Sequence, residues 1–171
     1  MSAALTPPLL VAAGVLCVAG ALKLRSPAAA GRALSILGLP AAPIFVRTLA
    51  ACELAMGGWA LIAGGRGAAA AMAGVYALFA VVALALARRH ASCGCFGEDR
   101  TPASLLQSLL STAFAAVALA AAFAGAHGLG WVLGQAPASA AALMIGIGGA
   151  VYATVIAYTQ LPAAWSAWSV P

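Results

Sequence analysis

The chain has 171 residues, of which 65% are hydrophobic and 6% charged, with a formal net charge of +5. Even a small water-soluble domain needs more polar surface than this, so the chain is expected to be solvated by the lipid bilayer. Its few basic residues flank apolar stretches, and no nucleic-acid partner is expected.

Runs of about 20 apolar residues cross a bilayer core about 30 Å thick. Five such runs stand out, at 7–24, 44–63, 67–87, 103–126 and 138–159. The nine prolines lie outside these runs or at their ends, which suits uninterrupted helices. The expected fold is all-α, a multi-pass membrane helical bundle of about five transmembrane helices, with 1–171 as a single membrane domain.

The first run has no basic residue before it, and Lys23 and Arg25 follow it, so it reads as a retained span and not a signal peptide. The bulky Leu16 before Cys17 argues against a lipoprotein site. Ser26 and Pro27 then have the chemistry of an N-cap and first helical residue, and Gly38 with Pro40 supplies a stop. A short interfacial helix is expected over about 27–37.

Polar groups inside the spans are few. Cys17 precedes Leu24 by seven residues and Cys52 follows Ile44 by eight. Antiparallel first and second spans would therefore hold both thiols about 10 to 12 Å below one face. Ala13, Gly14, Gly20 and Ala21 form a small-residue stripe that lets a neighbouring helix approach, so a Cys17–Cys52 contact is expected to be feasible as a relay. Glu53 carries a charge at a depth that costs roughly 2.5 to 3.5 kcal/mol on insertion scales, and such a residue has a partner, a proton or a role. Arg47 is six residues away on a different helical face and cannot pair with it directly. It sits near the span's start, where it can snorkel to the headgroups, so the carboxyl reads as isolated.

Cys93-Gly94-Cys95-Phe96-Gly97, between the third and fourth runs, is the most informative segment. Two thiols separated only by glycine can close into a disulfide or chelate a soft metal as two thiolates. His90 stands beside them, placed to assist a thiol or add a ligand. Thr101-Pro102 repeats the helix-start signal at the fourth span. Lys23, Arg25, Arg32, Arg88, Arg89 and Arg100 fall in the two loops on one side, with Arg47 just inside the next helix, and Arg66 stands opposite. The excess of basic residues places the thiol loop on the cytoplasmic side of a bacterial-type inner membrane. Gly146, Gly149, Ala150 and Ala153 in the last run read as a packing surface, able also to hold a partner subunit. Trp165 and Trp168 in the tail read as interfacial anchors.

Three segments together carry a resemblance: Gly20-Ala21-Leu22-Lys23; Arg47-Thr48-Leu49-Ala50-Ala51-Cys52-Glu53-Leu54 with Gly57; and Cys93-Gly94-Cys95-Phe96-Gly97 before Thr101-Pro102. They resemble the MauE branch of the DoxX-like, redox-associated membrane proteins. The resemblance implies about five spans, a part in maturing a disulfide-rich protein, and a thioredoxin-like partner. It further implies Cys93 and Cys95 as the redox pair and Glu53 as the membrane carboxylate. Members often have a histidine and an Arg-Asn pair early in the fourth span, where this chain has Gln107, Leu110 and Ser111.

The favoured expectation is a thiol-disulfide oxidoreductase in which Cys93 and Cys95 exchange with a thioredoxin-like protein. Electrons would continue to a bilayer quinone or through Cys17 and Cys52, with Glu53 in the catalytic set and Arg47 and His90 in support. The alternative is soft-metal transport, with Cu(I) or Hg(II) held by Cys17, Cys52, Cys93 and Cys95. A third reading is a non-catalytic accessory subunit of a larger membrane complex.

Overall fold

The computed structural model describes residues 2–89, 91 and 104–161. His90, Cys93, Cys95, the Thr101-Pro102 signal and the tail residues Trp165 and Trp168 lie outside the described residues. The elements within them are helices: α1 (Ser2–Arg25), α2 (Pro27–Ile36), α3 (Pro43–Ile62), α4 (Gly65–Arg88), α5 (Leu105–Ala124), α6 (Leu129–Leu133) and α7 (Pro137–Thr159). Of these, α1, α3, α4, α5 and α7 are long and apolar enough to cross a membrane. The protein is a multi-pass membrane helical bundle.

One expectation about α1 is corrected. The helix begins at Ser2, so Pro7 and Pro8 lie inside it and not at its end. The amides they lack would have bonded the carbonyls of Ala3 and Ala4, and both of these residues are exposed in the first turn. A proline is tolerated where the carbonyls it deprives are not buried. Pro27, Pro43 and Pro137 each sit in the first turn of their helices, where no amide donor is needed. Ser26 occupies the N-cap position of α2 but makes no side-chain cap bond, so the proline alone carries that start signal. In α5 the first described signal is Ser104. Its N–H donates to Gln107 Oε1 at 3.2 Å, and its carbonyl accepts from the Gln107 N–H at 3.1 Å.

α1 lies at the centre, packed against α3 along its length, with α5 and α7 on its other faces, while α4 pairs closely with α5. Between membrane helices, where lipid is as apolar as leucine, association depends on van der Waals fit, and small residues permit it. The α1 seam runs Ala13, Leu16, Gly20, Lys23; the α3 seam runs Val46, Ala50, Glu53, Gly57, Ala60, all in alternating steps of three and four. Two glycines set the spacing. A Cβ on Gly20 would stand 2.8 Å from the Ala50 carbonyl oxygen, and one on Gly57 would stand 2.6 Å from Cys17 Sγ and 2.9 Å from the Ala13 carbonyl oxygen.

The core behind that seam is built mainly from alanine, with Leu9, Leu16, Met72 and Tyr76 as its larger side chains. Tyr76 brings a hydroxyl into this apolar space and satisfies it by donating to the Ala12 carbonyl at 2.6 Å. The Phe114 ring lies 5.1 Å from the Tyr76 ring, centroid to centroid.

The two ends of the bundle are held differently. At the end where α1 begins, the Gly65 N–H donates to the Ala126 carbonyl at 2.7 Å, and the His127 N–H donates to Thr6 Oγ1 at 3.1 Å. Gly64 takes the left-handed φ of +59° in this turn, packed against the backbone of His127 and Gly128. At the opposite end α2 covers Ala83 and Leu86 of α4 through Ala33, and the Arg89 guanidinium donates to the Ile36 carbonyl.

The seam makes a testable demand. Gly57→Val should lower thermal stability in detergent by about 1–3 kcal/mol through overpacking. Gly146→Val, where a Cβ meets nothing within 4 Å, should leave stability nearly unchanged. Equal effects would show that the α1–α3 contact does not govern assembly.

Candidate functional site

Glu53 has a partner. Lys23 Nζ lies 2.6 Å from Glu53 Oε1 and 2.7 Å from Oε2, so one ammonium bridges both carboxylate oxygens. Lys23 is 5% exposed and Glu53 3% exposed, so the ion pair is buried inside the bundle. Two expectations are thereby corrected: Glu53 is not an isolated carboxyl, and Lys23 is not a loop charge but a residue of α1.

Helix geometry explains the meeting. Cα–Cβ bonds lean toward a helix's own N-terminus. α1 and α3 are antiparallel, so Lys23 leans inward from the end of α1 while Glu53 leans outward from the middle of α3, and the two side chains converge. The ammonium also sits in the last turn of α1, where the helix dipole favours a cation. Phe79 of α4 presents its ring 4.8 Å from Lys23 Nζ, a cation–π contact.

Beside the pair, residues of α1, α4, α5 and α7 line a partly open cavity of about 20 Å³, room for about one water molecule. Lys23, Tyr76, Gln107, Ser111 and Tyr158 supply the polar groups around it. Ser111 Oγ lies 3.0 Å from the Tyr158 hydroxyl, and Gln107 Nε2 donates to the Tyr158 carbonyl at 3.2 Å.

The cysteines within the described residues are not brought together as a pair. Cys17 is half-buried, donating to the Leu54 carbonyl at 3.9 Å and resting on Gly57. Cys52 is exposed on α3, one residue around the helix from the seam, and both thiols are free. No cluster of three or more His, Cys, Asp or Glu suited to a metal forms among the described residues. Arg47 is exposed at the start of α3, consistent with snorkelling and away from Glu53. The stacked contact of His127 on Trp131 belongs to the opposite end of the bundle.

A family model described as methylamine utilisation protein MauE matches residues 1–128. The chain belongs to the MauE family. No curated protein and no solved structure matches it. The MauE match takes in α1 to α5, and with them Lys23, Glu53, Tyr76, Gln107, Ser111 and the Cys93–Cys95 segment. It ends before α6 and α7, so Tyr158, which lines the cavity, is contributed from beyond it.

Lys23, Gln107, Ser111 and Tyr158 were not singled out as site residues on sequence grounds. Lys23 carried a readable signal: it stands three residues after Gly20, in register with the small-residue stripe. Gln107 and Ser111 are four apart on one face of α5, but only the position of Tyr158 gives that spacing a meaning.

The ion pair should behave as a unit. Lys23→Met or Glu53→Leu alone leaves a buried charge without its partner and should cost about 3–5 kcal/mol. The double variant should recover most of that loss in a double-mutant cycle of unfolding in mixed micelles. Simple additivity of the two single effects would show that the charges do not depend on each other.

Proposed function

We propose that this MauE-family protein exchanges thiol and disulfide equivalents through Cys93 and Cys95 with a thioredoxin-like partner, serving the maturation of other proteins. The observation that carries the reading is the Cys93-Gly94-Cys95 sequence within the family match. The segment joins α4 to α5, at the same end of the bundle as the end of α1 and the start of α3. Gln107, in the first turn after it, lines the cavity that Lys23 also lines.

The chemistry balances without a further oxidant. A thiolate of the pair attacks one sulfur of the partner's disulfide, forming a mixed disulfide and releasing the partner's other thiolate. The second cysteine of the pair then attacks its neighbour's sulfur, closing the Cys93–Cys95 disulfide and freeing the reduced partner. Two electrons pass from this chain to the partner, and the protons lost by one dithiol equal those gained by the other. The reverse sequence runs by the same steps.

Lys23 and Glu53 are the membrane charge pair of this reading. Each charge holds the other at hydrogen-bond distance, so the pair is net neutral inside the bundle. Arg25, Arg32, Arg88 and Arg89 at this end, against Arg66 at the other, favour a cytoplasmic thiol loop in an inner membrane. That orientation suits a carrier drawing on cytoplasmic thiols.

Two measurements test the reading. Cys95→Ser or Cys93→Ser should abolish exchange with a thioredoxin-like protein, and one of the two should trap a mixed disulfide visible on a non-reducing gel. A pair that stays reduced under every oxidant while binding Cu(I) stoichiometrically would favour metal handling instead. For orientation, a reporter cysteine near Arg100 in a cysteine-free background should resist an impermeant thiol reagent in intact cells, while one near Arg66 reacts. The opposite labelling pattern would place the thiol loop outside.

A further inference from the structure

The arginines of the chain are gathered at one end. Arg25 closes α1, Arg32 stands on α2, Arg47 lies in the second turn of α3, and Arg88 and Arg89 stand at the end of α4, all of them exposed. Arg66 is at the other end. Among the described residues the acidic side chain is Glu53, and Lys23 takes it up inside the bundle. Glu98 and Asp99 lie outside the described residues, beside Arg100, and two carboxylates cannot neutralise six arginines.

A groove at this end combines the cationic and apolar surfaces that a charged amphiphile needs. It runs between α2 and the chain leading into α3, holds about 280 Å³, and is lined by Ala28, Gly31, Arg32, Ser35, Ala41 and Pro43. α2 turns Ala29, Ala30 and Ala33 inward, which leaves Arg32 and Ser35 on its outer side. The floor is tight, since a Cβ on Gly31 would stand 3.2 Å from the Ala41 carbonyl oxygen. Pro43 and Arg47 are four residues apart and share a face of α3. Cα–Cβ bonds lean toward the helix N-terminus, so Arg47 leans back toward the groove from one turn deeper. Ile44 and Phe45, 73% and 43% exposed, begin the lipid-facing surface of α3 next to it.

We propose that this groove seats the headgroup of an anionic phospholipid, with its phosphate between Arg32 and Arg47 and an acyl chain lying along Ile44 and Phe45 toward the bilayer core. The charge of the face selects the headgroup. A zwitterionic lipid brings its own ammonium, and no exposed carboxylate among the described residues can receive it, whereas an anionic lipid brings negative charge alone. Guanidinium groups suit a phosphate because their planar donors can engage two oxygens at once. The bound lipid ties α2 to the start of α3, and α2 in turn covers Ala83 and Leu86 near the end of α4. The inference concerns lipid binding and stands apart from the thiol chemistry of Cys93 and Cys95.

The test uses the full chain in dodecylmaltoside micelles, with native mass spectrometry counting the lipid that stays bound. Dioleoylphosphatidylglycerol should be retained at one molecule per chain, and dioleoylphosphatidylcholine should not. One arginine near a membrane surface is worth about fivefold in affinity for anionic lipid. Arg32→Gln and Arg47→Gln should therefore each weaken binding of the phosphatidylglycerol about fivefold, while Arg66→Gln should leave it unchanged. Glycerol phosphate, the headgroup without its chains, should not compete at equal concentration. Equal retention of the two lipids, or equal losses from Arg66→Gln and Arg32→Gln, would overturn the proposal, since the attraction would then be diffuse. Competition by glycerol phosphate would overturn it as well, by assigning the groove to a soluble anion. Should Arg32→Gln fail to fold, Arg47→Gln compared with Arg66→Gln decides the matter.

Discussion

The contact between Lys23 and Glu53 depends on how closely α1 and α3 approach, and the approach depends on glycine. Two charges inside a bilayer protein are tolerated when each satisfies the other at hydrogen-bond distance. Here the bridging distances are 2.6 and 2.7 Å. That geometry requires backbones near enough for Gly20 to lie against the Ala50 carbonyl and Gly57 against Cys17. Larger side chains at either glycine would part the helices and leave the charges separated in a medium that cannot solvate them.

Polar contacts outside that seam explain why a chain so rich in alanine holds one arrangement. Alanine and glycine give membrane helices little shape by which to choose a partner, so the specific information lies in a handful of polar contacts. Tyr76 bonding Ala12 ties α4 to α1, Ser108 bonding the Ala80 carbonyl at 2.9 Å ties α5 to α4, and Ser111 with Gln107 ties α5 to Tyr158. Each would be an unsatisfied polar group in a mispacked bundle, which penalises the alternatives. At the end where α1 begins, the backbone bonds among Gly65, Ala126 and His127 perform the same task.

Residues 1–128 contain α1 to α5, whereas α7 follows the match and packs on the bundle mainly along α1. Its one buried side chain enters the cavity beside the ion pair.

Composition and the length of apolar runs were sufficient for the membrane class and the five long helices, because lipid solvation demands such runs, and they made Glu53 conspicuous as an interior charge without showing its partner. The resemblance in Gly20–Lys23, Arg47–Leu54 and Cys93–Gly97 was likewise legible, since it rests on residues in order along the chain. What sequence could not supply was which residues meet. Lys23 looked like a flanking charge because its place at the end of an apolar run is the same whether its side chain turns outward to headgroups or inward to Glu53. Cys17 and Cys52 shared a depth, yet depth leaves the rotation of each helix open, and a rotation of about 100° per residue is enough to set Cys52 outside the seam while Glu53 lies within it. The direction in which a side chain points is fixed only when the neighbouring helix is in place, and that is the part the tertiary structure decided.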